Sequence, residues 1–235
     1  LDARGRAARA DAETEHRPNV RIDPIVLGLP GALPVMNAAA VEMAILAGLA
    51  LRCSIAPLSR WDRKSYFYPD LPKGYQISQY DLPLCFDGVV DLPSLDDSGR
   101  EDSEGATTPI GIIRAHLEED AGKLLHEAPG GAPIDFTLAD YERAGAPLLE
   151  IVTAPDLRSA EQAAHFARSL RTLLCFLGVT RGDMQKGHVR FEPNINCRLS
   201  LSDGTLVHTP IVEIKNLNSF RSVKAAIEYE LEEQP

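Results

Sequence analysis

The chain has 235 residues, 44% hydrophobic and 25% charged, a globular composition that excludes a wholly disordered or collagen-like polymer. With 24 Lys and Arg against 34 Asp and Glu the formal charge is −10, which argues against sequence-independent coating of nucleic acid and leaves room for a local basic site only. Cys53, Cys85, Cys175 and Cys197 are scattered without a C-x-x-C pair, so neither a zinc ribbon nor a secreted disulfide framework fits, and a reducing cytoplasm does.

Residues 1–19 carry Ala, Arg, Asp and Glu with no aromatic, and are expected to be disordered. The chain opens on Leu1 and closes on Pro235 after an unfinished helical pattern, so it reads as a fragment cut at both ends. The run GLPGALP at 28–34 predicts a rigid, non-helical loop. Asn37 then caps a helix over roughly 38–51 with Val41, Ile45 and Leu49 on one face. Glu42 breaks that apolar run, so no membrane span is expected.

The segment WDRKSYFYPDLPKGYQISQYDLP (61–83) holds Trp61, Tyr66, Phe67, Tyr68, Tyr75 and Tyr80, six of the chain's fourteen aromatics. Arg63, Lys64, Lys73, Gln76 and Gln79 are interleaved with them, and Pro69 and Pro72 fix turns. Such a mixture suits hydrogen bonding to a ligand or stacking of single-stranded RNA bases. It equally suits a Tyr-rich loop packed on a sheet. The acidic run 91–108 predicts a solvated surface loop.

Four later segments read as strands. In IIRAHLEED (112–120), period two puts Arg114, His116, Glu118 and Asp120 on one face and Ile113, Ala115 and Leu117 on the other. In LLEIVT (148–153) a lone carboxylate, Glu150, lies among aliphatics and is expected to be at least partly buried, where it needs a cation. In VRFEPNINCRLSL (189–201), Arg190, Glu192, Asn194, Asn196 and Arg198 share a face, with Pro193 marking a bulge or an edge. In PIVEIKN (210–216), Glu213 and Lys215 project together. Between these, the capping box Ser159-x-x-Gln162 opens a helix that Gly178 ends. Ser219 caps a last helix with Phe220, Val223, Ile227 and Leu231 along one stripe.

Polar strand faces of this kind can simply meet water. The alternative is chemical. Two carboxylates, Glu118 and Glu150, with waters and phosphate oxygens satisfy the oxygen-rich, near-octahedral shell that Mg²⁺ prefers, and Arg114 beside His116 can meet a phosphate. No P-loop, no G-x-G-x-x-G after a strand, no G-x-S-x-G and no H-E-x-x-H is present, so any nucleotide binds on a sheet face.

The motifs LGLPGALPVMN (27–37), WDRKSYFYPDLPKGYQISQYDLP (61–83), IGIIRAHLEEDAGK (110–123), RAGAPLLEIVTAPDLRS (143–159) and VEIKNLNSF (212–220) resemble, in order, those of the B-subunit family of aspartyl/glutamyl-tRNA(Asn/Gln) amidotransferases. The resemblance implies an α+β fold over 20–235: an antiparallel sheet cradle with flanking helices, akin to glutamine synthetase and the guanidino kinases. It implies a glutamine-hydrolysing ligase of translation in which ATP and Mg²⁺ phosphorylate the side-chain carboxylate of Glu-tRNA(Gln) or Asp-tRNA(Asn). Ammonia channelled from the amidase (A) subunit then displaces the phosphate. The A (amidase) and C (small) subunits and misacylated tRNA are the implied partners, with no membrane. By the same resemblance Glu118 and Glu150 are Mg²⁺ ligands, Arg114 and His116 line the nucleotide pocket, and Lys64, Lys73, Glu192 and Glu213 mark the ammonia path.

The chain departs from the family at several points. Asp23 and Ile25 stand where many members carry a cysteine pair, so no zinc is expected. An upstream strand that helps hold the metal is missing before Leu1. Ala154 replaces an acidic residue, and Gln185, Lys186 and His188 break the pattern of MQKGHVRFEPN (184–194). These departures keep two rivals open, another ATP-dependent carboxylate–amine ligase and a non-catalytic scaffold.

Overall fold

The computed structural model describes residues 18–96, 100, 105–128 and 130–235. The expectation for residues 1–17, and residues 97–99 and 101–104 of the acidic run 91–108, lie outside the described residues. In chain order the elements are α1 (Ala38–Ala50), β1 (Ser54–Ile55), β2 (Asp62–Ser65), β3 (Tyr75–Ser78), β4 (Cys85–Pro93), β5 (Thr107–Glu119), β6 (Lys123–Glu127), β7 (Pro133–Asp140), β8 (Pro147–Thr153), α2 (Ala160–Phe176), β9 (Asn194–Ile195), β10 (Arg198–Ser200), β11 (Leu206–His208), β12 (Val212–Glu213) and α3 (Phe220–Glu233). This is an α+β chain with antiparallel pairing. The largest sheet has the order β1-β4-β5-β8, and β2-β3, β6-β7, β9-β12 and β10-β11 form two-stranded ribbons. The chain divides into two compact units, Leu1–Val89 with Ile112–Thr153 and Val90–Gly111 with Ala154–Pro235.

In the first unit α1 starts where expected, with Asn37 accepting from the Ala39 amide at 3.0 Å. Its buried face differs from the expected one. Ala40, Ala44, Ala47 and Gly48 are buried, while Leu49 is exposed with Met43 and Leu46. The reason is close approach to the sheet. A Cβ on Gly48 would stand 2.4 Å from Cys85 Sγ, so only small residues fit that face and the bulky aliphatics turn outward. Burial pushes the Cys85 thiol up to about 11, helped by neighbouring Cys53, so both thiols serve packing.

The supposed disordered start already holds structure at Asn19. Its side-chain amide donates to Ala139 O at 2.9 Å, and its oxygen accepts from the Tyr141 amide at 2.8 Å. Arg21 pairs with Glu142 at 2.5 Å, which ties the chain entry to the end of β7.

In the second unit α2 begins on Ser159, whose hydroxyl accepts from the Gln162 amide at 3.1 Å, while Gln162 accepts from the Arg158 amide at 2.7 Å. The helix gives way to Gly178 as its sequence predicts. α3 begins on Ser219 and buries Val223 and Ile227. These two side chains join Ala160 and Ile195 in a core flanked by Phe191, Ile214 and Leu217.

The continuous strand expected at 189–201 is two short strands. Ile195 and Cys197 are buried between exposed Asn194, Asn196 and Arg198, so the period-two pattern survives without an unbroken ladder. Pro193 has no amide to give, and opposite Cys197 the Thr209 hydroxyl takes the place of a backbone partner, accepting from its amide at 2.7 Å. Likewise only Val212–Glu213 of 210–216 is strand. β4 reaches Pro93 and β5 starts at Thr107, so the ends of the expected 91–108 loop are strand.

Candidate functional site

β5 and β8 pair antiparallel with His116 opposite Glu150 and Glu118 opposite Leu148. Directly opposed residues share a face. This register therefore sets His116, Glu150 and Glu118 on one face, and their ligand atoms lie within 4.8 Å of one another. A bulge between Ile112 and Arg114 resets the alternation upstream, which is why Ile113 is 47% exposed instead of facing inward with Ala115 and Leu117. Arg114 opposes Val152 on the same face as His116, half-buried, with no hydrogen-bond partner for its Nε among the described residues.

His116 Nε2 lies 3.5 Å from Glu118 Oε1 and 4.0 Å from Glu150 Oε2. His116 and Glu118 are buried, but the Glu150 side chain is 46% exposed. The expected burial of Glu150 is thus corrected. Its aliphatic neighbours are only half-buried, and β8 is the last strand of the sheet, so one side of this carboxylate meets solvent.

Burial raises the Glu118 carboxyl, yet hydrogen bonds from His116 and Ser78 and the charges of His116 and Lys64 outweigh it and hold the group below its ordinary value. The Ser78 hydroxyl donates to Glu118 Oε1 at 2.5 Å. A carboxyl lowered in the folded state contributes stability above its unfolded value, and that contribution is lost as pH falls through the lower folded value. With divalent cations chelated, Ser78→Ala is therefore expected to destabilise by about 1.5–3 kcal/mol at neutral pH. The difference from wild type should shrink as pH falls through the folded pKa of Glu118, as urea titrations at a series of pH values would show.

The donor set suits a divalent cation. Two carboxylates converge with one imidazole between them, one of them open to solvent where waters or phosphate oxygens can complete a shell. The buried His116 Nδ1 has no hydrogen-bond partner among the described residues, so this histidine is not accounted for by packing alone. Within the cluster Glu118 and Glu150 offer carboxylate oxygens and His116 a ring nitrogen.

The remaining expected site residues separate. Lys64 is exposed on β2, opposite Gln76, with its charge acting on Glu118. Lys73 is buried. Its ammonium pairs with Glu119, both side chains being 2% exposed, and lies 4.8 Å from the Tyr75 ring centroid. The 27–37 loop packs on it, since a Cβ on Gly28 would meet Lys73 Cα at 2.9 Å. Glu192 and Glu213 belong to the second unit, where Lys215 Nζ sits 3.7 Å and 3.3 Å from them. The hydrogen bond that Lys215 donates to Glu213 and the charge of Glu192 push the Lys215 ammonium up. Asp120, on the polar face by period two, instead ends the strand and is held by Arg143.

Gln76 and Gln79 act structurally. Gln76 donates to Glu119 O at 2.8 Å, and Gln79 Oε1 accepts from the Leu117 amide at 2.9 Å. The motifs alone do not single out Ser78 or Glu119. For Glu119 a signal exists, because it falls by period two on the apolar face with Ala115 and Leu117, where a charge demands a buried partner.

The sequence from residue 6 to 235 matches the model of the "GatB/GatE catalytic domain". The chain belongs to this family. It is 52% identical over 217 residues to the B subunit of the aspartyl/glutamyl-tRNA(Asn/Gln) amidotransferase of Rhodopirellula baltica, covering 92% of this chain and 42% of that one. Identity to the protein of the same name is 50% in Thermosynechococcus vestitus and 51% in Treponema pallidum, covering 92% of this chain and 42% and 40% of theirs. The chain thus spans about two fifths of the curated relatives it matches. In this family member the His116–Glu118–Glu150 cluster is the one group of three or more potential metal-ligating side chains among the described residues. No helix among the described residues is long and apolar enough to cross a membrane.

Proposed function

We propose that this chain is the phosphoryl-transfer and amidation domain of a tRNA-dependent amidotransferase, acting on glutamate or aspartate esterified to tRNA. The observation that carries this is the convergence of Glu118 and Glu150 across the β5–β8 pair, in a chain whose relatives bear the name of the amidotransferase B subunit. Glu118 and Glu150 would hold Mg²⁺, which when bound neutralises charge on the phosphates of ATP. Phosphoryl transfer depends on positioning and on fixed charge around the phosphate oxygens more than on covalent participation. Arg114 supplies a cation on the same strand face, and His116 orients both carboxylates from between them. Ser78 fixes the Glu118 rotamer.

In the reaction a carboxylate oxygen of the esterified amino acid attacks the γ-phosphorus and ADP departs. Ammonia then adds to the acyl carbon and phosphate leaves, giving the amide. Neutral ammonia must be kept from bulk water, where it becomes ammonium and loses its nucleophilic lone pair. Lys73 and Lys64, with Glu192 and Glu213, are assigned to its path, and the A (amidase) and C (small) subunits are the proposed partners. The test is ATP-dependent phosphate release by the full-length protein with its partner subunits. Release is expected only with tRNA charged with glutamate or aspartate. Equal release with free glutamate and no tRNA would instead show a small-molecule ligase.

A further inference from the structure

We infer that the loop joining β2 to β3 is a stacking platform on which the unpaired terminal base of the substrate RNA rests, with Phe67 and Tyr68 as its rings. The inference rests on the RNA-linked substrate proposed above and names the surface that would receive it.

Phe67 is 87% exposed and Tyr68 57% exposed, although the loop beneath them is fixed. The Tyr66 amide bonds to Gly74 O at 3.0 Å, Gly74 N to Leu71 O at 2.9 Å, and Leu71 itself is 2% exposed. The Phe67 ring lies against Gly74, where an added Cβ would meet Cε1 at 3.3 Å, so one side is braced while the rest is open. Tyr66 meets Tyr68 edge to face with centroids 6.3 Å apart. Rings held by a pinned loop but left in water lose little freedom when a base stacks on them.

Charge and position select the partner. Arg63 and Lys64 are exposed immediately before the rings, while the nearby Asp62 and Asp81 are already engaged by Arg60. Aromatic faces that follow exposed cations in the chain suit a single-stranded nucleotide, whose base stacks while its phosphate meets the cations. The hairpin also leads to the carboxylate cluster. Asp62 opposes Ser78, the residue bonded to Glu118, and Ser65 opposes Tyr75 at the other end of the ribbon. The ribbon itself spans three strand steps, roughly 10 Å, and the rings lie two to three residues beyond its loop end. A terminal nucleotide on the platform thus has its esterified amino acid directed along the hairpin toward Glu118.

The test uses the full-length protein with its partner subunits and tRNA bearing 2-aminopurine in place of the terminal adenine. Stacking should quench the probe with wild type and with Phe67→Trp, and the quench should be lost in Phe67→Ala. For charged tRNA, KM should rise about tenfold in Phe67→Ala and about a hundredfold with Tyr68→Ala added, with kcat nearly unchanged, following the worth of a base–aromatic stack. Quenching and KM unchanged in the double variant would overturn the inference. So would loss of assembly with the partner subunits while tRNA affinity is kept, which would make the loop a protein interface. Ring-dependent quenching without tRNA-dependent phosphate release would uphold the platform and reject the proposed reaction instead.

Discussion

Glu118→Ala and Glu150→Ala are each expected to abolish magnesium-dependent ATP binding by the full-length protein and to lower tRNA-dependent phosphate release by at least about 100-fold. The two carboxylates share one face, with His116 Nε2 3.5 Å from one and 4.0 Å from the other, so removing either leaves a site with a single oxygen-donating side chain. Their effects on folding should differ. Glu118 is buried and accepts from Ser78, so its loss strands a hydroxyl and costs about 1–3 kcal/mol of stability. The Glu150 side chain is 46% exposed, and its replacement should leave the urea midpoint within experimental error. Glu150→Ala is therefore the decisive variant, because a loss of nucleotide binding there has no folding explanation. Calorimetric titration of Mg-ATP reads the effect directly, and unchanged binding in both variants would reject the cluster as the metal site.

The residues of this cluster are legible in the sequence because strands are simple. Period two puts His116 and Glu118 on one face, and a carboxylate inside an aliphatic run flags Glu150. The pairing that joins them is not local information. Slipping the β5–β8 register by one residue would send Glu150 to the opposite face, and nothing in either segment alone fixes that register. The bulge at Ile112–Arg114 is equally invisible, since no Pro or Gly occupies positions 112–114 to announce it. Helix starts are legible from Asn37, Ser159 and Ser219, whose side chains accept amide hydrogen bonds as capping chemistry requires. Aliphatic size misleads about the buried face of α1. The helix lies so close to Cys85 that alanine and glycine, rather than leucine and valine, make the contact. The long strand expected at 189–201 fails for a similar reason, as Thr209 supplies a side-chain partner from a distant segment where the ladder should have continued.

Breaking the Lys73–Glu119 pair should produce a large stability loss. Both side chains are 2% exposed, and Glu119 Oε1 also accepts from the Ile77 amide at 2.8 Å. Lys73→Met leaves a buried carboxylate without its cation, a change that typically costs about 3–5 kcal/mol. Adding Glu119→Leu removes the stranded charge, and a buried pair replaced by apolar side chains of similar volume is often close to neutral. The double variant should therefore recover most of the lost stability, less about 1 kcal/mol for the Ile77 amide left unbonded. This recovery separates two roles of Lys73. A purely structural lysine would regain amide formation along with stability. A lysine on the ammonia path would not, because methionine offers no polar group to pass ammonia along. Stability restored without glutamine-dependent amidation, while ATP-dependent phosphate release persists, is the expected result. Restoration of both would place Lys73 in the scaffold alone.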